Sequence, residues 1–120
     1  MKKILFALML ATTATLSLSA CTAPEKIDVS AANTMIIDVR TPAEYSEGHL
    51  DGAVNMDVQD PSFATLLESL PTDGEYVVYC RSGNRSAQAV AQMKASGFTN
   101  VIDAGGVQSA SSATGLPIVQ

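Results

Sequence analysis

Residues 75–80, Glu-Tyr-Val-Val-Tyr-Cys, form a β-favouring, almost wholly apolar run that passes through a small polar loop into residues with helical spacing, Ala87, Val90, Ala91 and Met93. No other pattern in the chain constrains the fold as strongly. A strand without polar alternation must be covered on both faces, and a strand that feeds directly into a helix is half of a βαβ unit. The run therefore belongs inside a parallel sheet, with Gly97 as the stop of the helix that follows.

The flanking segments repeat the alternation. Met35-Ile36-Ile37-Asp38-Val39 reads as a second buried strand. Thr41 as N-cap, Pro42 at N1 and Glu44 at N3 make a capping box that starts a short helix through about Glu47. Gly48 and Gly52 bracket a turn before a short strand at Ala53–Met56. Phe63, Leu66, Leu67 and Leu70 give a helix with a core face that stops at Pro71. Val101–Ala104 is expected as a strand, Gly105-Gly106 as a turn, and Val107–Ala113 as a short helix before Gly115-Leu116-Pro117. Ile27 and Val29 suggest a brief first strand. The expectation is a three-layer α/β fold, with a mainly parallel sheet of about five strands flanked by helices.

The N-terminus is of a different kind. Lys2 and Lys3 precede an uncharged apolar stretch from Ile4 to Leu18 that Thr and Ser interrupt, too short for a membrane-spanning helix but suited to a secretory signal peptide. Leu18-Ser19-Ala20-Cys21 resembles a bacterial lipobox. The resemblance implies removal of residues 1–20, diacylglycerol on the Cys21 sulfur, and acyl chains that hold the protein at a membrane. Residues 21–26 are then the lipidated cysteine and its tether, and residues 27–120 the domain. Thr22 in place of Asp after the cysteine resembles outer-membrane sorting, which puts the domain in the cell envelope, facing the periplasm.

Without Lys2 and Lys3 the basic residues fall from seven to five against twelve acidic ones, so the net charge moves from −5 to −7. A chain this acidic has no basic face for phosphates, which excludes nucleic acid as a partner. The chain has two cysteines. With Cys21 lipidated, Cys80 is the one thiol left, and an unpaired thiol in an oxidising compartment points to a chemical role.

Cys80-Arg81-Ser82-Gly83-Asn84-Arg85-Ser86 concentrates the chemistry. Reactive groups of an open parallel sheet lie beyond the carboxyl ends of its strands, where Cys80 falls. A tight loop entering a helix turns successive N–H groups inward, and with the helix dipole they form a cradle that favours thiolate over thiol. Arg81 and Arg85 add positive charge that lowers the thiol pKa further and attracts an anionic substrate. Arg85 can equally fold back to hold the loop. Gly83 lets the backbone turn.

Taken together, Ile37-Asp38-Val39-Arg40 with Pro42 and Glu44-Tyr45, Gly48-His49-Leu50 with Gly52-Ala53 and Asn55, the Cys80 loop, and Gly105-Gly106 with Gly115-Leu116-Pro117 resemble the single-domain rhodaneses, and among these the small periplasmic phage-shock type. The resemblance implies a sulfurtransferase. Cys80 would take sulfane sulfur from thiosulfate or a persulfide and pass it to cyanide, a thiol or a protein sulfur acceptor. Residues Arg81 to Ser86 would hold the donor, and neither metal nor cofactor is needed. Two features depart from the family: the matching place for a common Trp lies near Ala110, and the first helix is compressed into Ser30 to Asn33. A phosphatase or arsenate reductase of related fold is the rival enzyme, but its loop is longer than the four residues between Cys80 and Arg85. A non-catalytic envelope binding module is the other alternative.

The remaining residues carry structural expectations. His49, the sole histidine, reads as a turn residue bonded locally. Asp38 and Arg40 read as an ion pair that orders the active side of the sheet, and Met35, Met56 and Met93 as core fillers.

Overall fold

The computed structural model describes residues 25–120; the expected signal peptide, its cleavage point and Cys21 lie outside the described residues. The elements run β1 (Thr34–Asp38), α1 (Pro42–Glu47), β2 (His49–Leu50), β3 (Val54–Asn55), α2 (Phe63–Glu68), β4 (Glu75–Cys80), α3 (Asn84–Ala95), β5 (Asn100–Gly106), α4 (Val107–Thr114) and β6 (Ile118–Val119).

The two strands read as buried sit at the centre of one parallel sheet, in the order β3-β1-β4-β5. Successive side chains of β1 and β4 point to opposite faces, and both faces are apolar. Ile37, Val78 and Cys80 join Phe63 and Leu67 of α2 and Ala89, Val90 and Met93 of α3 in one core. Ile36, Val77 and Tyr79 join Leu50, Ala104 and Ala110 in the other, with Tyr45 of α1 and Val107 of α4 against it. These are the three layers, and burial on both sides is why the strands lack polar alternation.

Four strands rather than about five make the main sheet; the others form a separate antiparallel pair, β2-β6, through His49 with Val119 and Leu50 with Ile118. The chain at Ile27 and Val29 is not a strand. Ile27 N–H donates to the Ala113 carbonyl at 2.9 Å, and Asp28 Oδ1 then accepts from both the N–H and the hydroxyl of Ser30, which turns the chain away. No helix forms at Ser30 to Asn33, where a turn closes with Thr34 N–H on the Ala31 carbonyl.

Gly105-Gly106, expected as a turn, instead ends β5, with Gly106 opposite Cys80 beyond a register shift between Val78 and Cys80. Leu66 is 41% exposed rather than core. The inward face of α3 is Ser86, Ala89, Val90 and Met93, with Ala87 and Ala91 exposed. The capping box at Thr41 and Glu44 forms as its sequence implies. Ala110, at the place where the resemblance would have a Trp, is fully buried, and α4 packs through Ala110 and Ala113. No described helix is long and apolar enough to cross a membrane.

Candidate active site

Cys80 closes β4, and its side chain is fully buried at the carboxyl end of the central strand. Arg81 and Ser82 then cross to Gly83, whose φ of +100° is left-handed and suits only glycine at low cost. Gly83 is the N-cap of α3. This abrupt turn aims the start of a twelve-residue helix at the sulfur, so unpaired N–H groups and the positive end of the dipole meet at Sγ.

The contacts follow from that turn. Gly83 N–H donates to Cys80 Sγ at 2.9 Å, and Ser86 Oγ lies 3.5 Å from Sγ and 3.0 Å from the Gly83 carbonyl, so its one proton is free to turn from the carbonyl to the sulfur when the thiolate forms. Burial pushes the Cys80 thiol up, but the Ser86 hydroxyl and the backbone N–H groups of Ser86, Gly83 and Ser82 outweigh it and hold the thiol below its ordinary value. Ser86 is buried for this reason, and its polar side chain is satisfied within the loop.

The double glycine closes the opposite wall. A Cβ on Gly106 would stand 2.5 Å from the Arg81 carbonyl oxygen and 3.2 Å from its carbon. Only a residue without a side chain lets the end of β5 lie against the cysteine loop.

The two arginines part company. Arg81 is exposed at the rim and takes part in neither ion pair among the described residues. Arg85 turns to α1, where Nη1 donates to Glu44 Oε2 at 2.7 Å and Nη2 to Oε1 at 2.8 Å. In the structure Arg85 is thus bound to α1 through Glu44. Asn84 and Ser82 are exposed beside Arg81. Glu44, expected only as a cap, is thus also part of the site's electrostatics; its bond to a residue 41 positions away left no local sequence signal.

A second network supports the sheet ends. Arg40 forks onto Asp38 through Nε and Nη2, the closest approach being 2.6 Å, and Nη2 also donates to the Gly48 carbonyl. Tyr79 OH donates to Asp38 Oδ2 at 2.8 Å and accepts from Leu50 N–H at 3.0 Å. Asn55 Nδ2 donates to the Asp38 and Arg40 carbonyls. Asp38 and Arg40 are therefore the ordering pair that the sequence suggests, and Tyr79 and Asn55 are members it did not reveal. His49 stacks on Tyr45 at 3.7 Å between ring centroids, with Nδ1 3.0 Å from the Tyr45 carbonyl, a local bond in β2 rather than a part of the cysteine loop.

A cleft of about 850 Å³ lies near the amino ends of the strands, among Ile27, Asp28, Thr34, Val77, Ile102 and Asp103. It includes no residue of the Cys80 loop. Chemistry at a single sulfur atom depends on the cradle around Sγ and not on a large cavity.

Comparisons with known proteins give the family of the chain and of its fold. Residues 24–112 match the model of the rhodanese-like domain. A sulfurtransferase of Allochromatium vinosum is 34% identical over 87 residues, 72% of this chain and 79% of that protein. The chloroplastic thiosulfate sulfurtransferase 16 of Arabidopsis thaliana is 33% identical over 110 residues, 78% of this chain and 92% of its own. Among solved structures, a rhodanese with anions from E. coli superposes with a TM-score of 0.60 at 30% identity, covering 72% of this chain and 98% of its own.

Proposed function

The chain belongs to the rhodanese-like family, and from that premise we propose that this sulfurtransferase carries sulfur on Cys80 as a persulfide. The observation that carries the proposal is the buried Sγ receiving the Gly83 N–H at 2.9 Å, in surroundings that hold its thiol below the ordinary value. A thiolate so prepared needs no separate base.

In the first half-reaction the Cys80 thiolate attacks the outer sulfur of thiosulfate or of a persulfide. A new S–S bond forms at Sγ, the donor's S–S bond breaks, and sulfite or a thiolate leaves with the electron pair. In the second, cyanide or a thiol attacks the outer sulfur of the Cys80 persulfide, and the electron pair returns to Sγ. The cradle of N–H groups from Ser82, Gly83 and Ser86 stabilises thiolate and persulfide in turn, and Arg81 receives the anionic end of the donor. Two half-reactions with one covalent intermediate give ping-pong kinetics.

The pairing of Arg85 with Glu44 weighs against the phosphatase alternative, because phosphoryl chemistry needs that charge on the substrate. Steady-state transfer from thiosulfate to cyanide, measured on residues 21–120 and on the Cys80→Ser variant, tests the reading. Activity that survives the substitution would refute it.

We further propose an envelope lipoprotein, with residues 1–20 removed, Cys21 acylated and the domain facing the periplasm from the outer membrane. Lys2-Lys3, the apolar stretch to Leu18 and Leu18-Ser19-Ala20-Cys21 support this. Tethered there, Cys80 would be the chain's one free thiol, able to pass sulfur to small thiols or to a protein acceptor.

A further inference from the structure

Glu44 is held from two sides. Its Oε2 accepts from the Thr41 N–H and hydroxyl, each at 3.0 Å, and from Arg85 Nη1 at 2.7 Å, while Oε1 accepts from Arg85 Nη2 at 2.8 Å. The carboxylate is thus held by the cap of α1 as well as by Arg85. The charge of Arg85, five residues after the sulfur, is thereby cancelled, and Asp57 adds further negative potential around it. Arg40 is bound to Asp38. Arg81 is left as the uncompensated cation of the loop.

Donors differ in the charge they bring to such a site. Thiosulfate brings two negative charges to a thiolate, so the transferring complex carries three before sulfite leaves. A protonated alkyl persulfide adds none, and its thiolate product carries the one charge that Sγ gives up. Cancelling one cation penalises the first donor far more than the second.

We infer that Glu44 is a specificity-determining residue: by pairing with Arg85 it tunes the Cys80 loop to donors of low negative charge, alkyl persulfides, over the thiosulfate dianion. The inference rests on the sulfur-transfer reading of Cys80.

The test compares kcat/KM for thiosulfate with kcat/KM for the persulfide of 2-mercaptoethanol, both on one preparation of residues 21–120, so that any loss of folded protein cancels from the ratio. Glu44→Gln should raise the thiosulfate-to-persulfide ratio about fivefold through a lower KM for thiosulfate, with the gain shrinking as salt is raised. Arg85→Gln should lower the ratio, and the double variant should return it close to that of the unmodified protein. A ratio unmoved or lowered by Glu44→Gln would overturn the inference and make Glu44 a brace only. A double variant as poor with thiosulfate as Arg85→Gln alone would also overturn it, making Arg85 a direct donor contact. If neither donor adds sulfur to Cys80, the sulfur-transfer reading itself fails and takes the inference with it.

Discussion

The N–H of Gly83 points at Cys80 Sγ across 2.9 Å, at the place where strand β4 turns into helix α3. The relationship depends on two properties of Gly83. Its left-handed φ of +100° makes the turn, and its position as N-cap puts the following amides of the helix start around the same sulfur.

Ser86 reinforces that cradle from the first turn of α3, so Ser86→Ala should shift the balance of Cys80 toward the thiol. The acid limb of the pH–rate profile then moves to higher pH, and kcat/KM at neutral pH falls several-fold, by roughly twofold to tenfold. Alkylation of Cys80 by iodoacetamide as a function of pH measures the same shift without substrate. An unchanged profile would leave the backbone N–H groups as the whole cause.

Gly106→Ala should disrupt the site from the other side. The added carbon would meet the Arg81 carbonyl at 2.5 Å, and backbone cannot rotate out of the way as a side chain can. The expected cost is about 2 kcal/mol or more in urea unfolding, with loss of sulfur transfer because the Arg81–Ser82 peptide moves. Full stability and activity would show that the end of β5 can retreat freely.

What the sequence disclosed and what it hid divide along the range of the interactions. The capping box of α1 was legible because Thr41, Pro42 and Glu44 act within four residues, and β4 was legible because burial on both faces is written in its composition. The β2-β6 pair was not, since two-residue strands such as His49–Leu50 and Ile118–Val119 exist only through each other. Gly105-Gly106 looks like a turn in isolation, and its real reason, contact with Arg81, lies more than twenty positions away. The cysteine loop was read by its residue types, whereas the partner of Arg85 was set by how α1 packs. On α3 Val90 and Met93 face inward as their spacing implies, whereas Ser86 and Ala89 replace Ala87 and Ala91, because Ser86, a polar residue, is buried beside the sulfur.

The Glu44–Arg85 pair also makes stability depend on acid. Arg85 chiefly, with Thr41 assisting and burial opposing, lowers the Glu44 carboxyl from 4.5 to about 2. A depressed folded pKa adds stability that is complete above the unfolded value and lost as pH falls through the folded one. With both side chains about one-fifth exposed, the pair is worth about 1 kcal/mol. Glu44→Gln should therefore unfold more easily at pH 7, and its deficit should shrink below pH 4.5 and vanish near pH 2. A deficit that persists at pH 2 would assign it to packing instead.

Membrane attachment has its own test. Cys21→Ser should either block processing of the leader or release the domain from the membrane fraction, leaving a soluble protein with Cys80 intact. A variant that still sediments with membranes would contradict lipid anchoring at Cys21.

Mass spectrometry of residues 21–120 after treatment with thiosulfate bears most directly on sulfur transfer through Cys80. The expected result is one added sulfur, about 32 Da, located on the peptide containing Cys80, removed by cyanide and absent from Cys80→Ser. No adduct on Cys80, or an adduct that forms equally well in the serine variant, would contradict it.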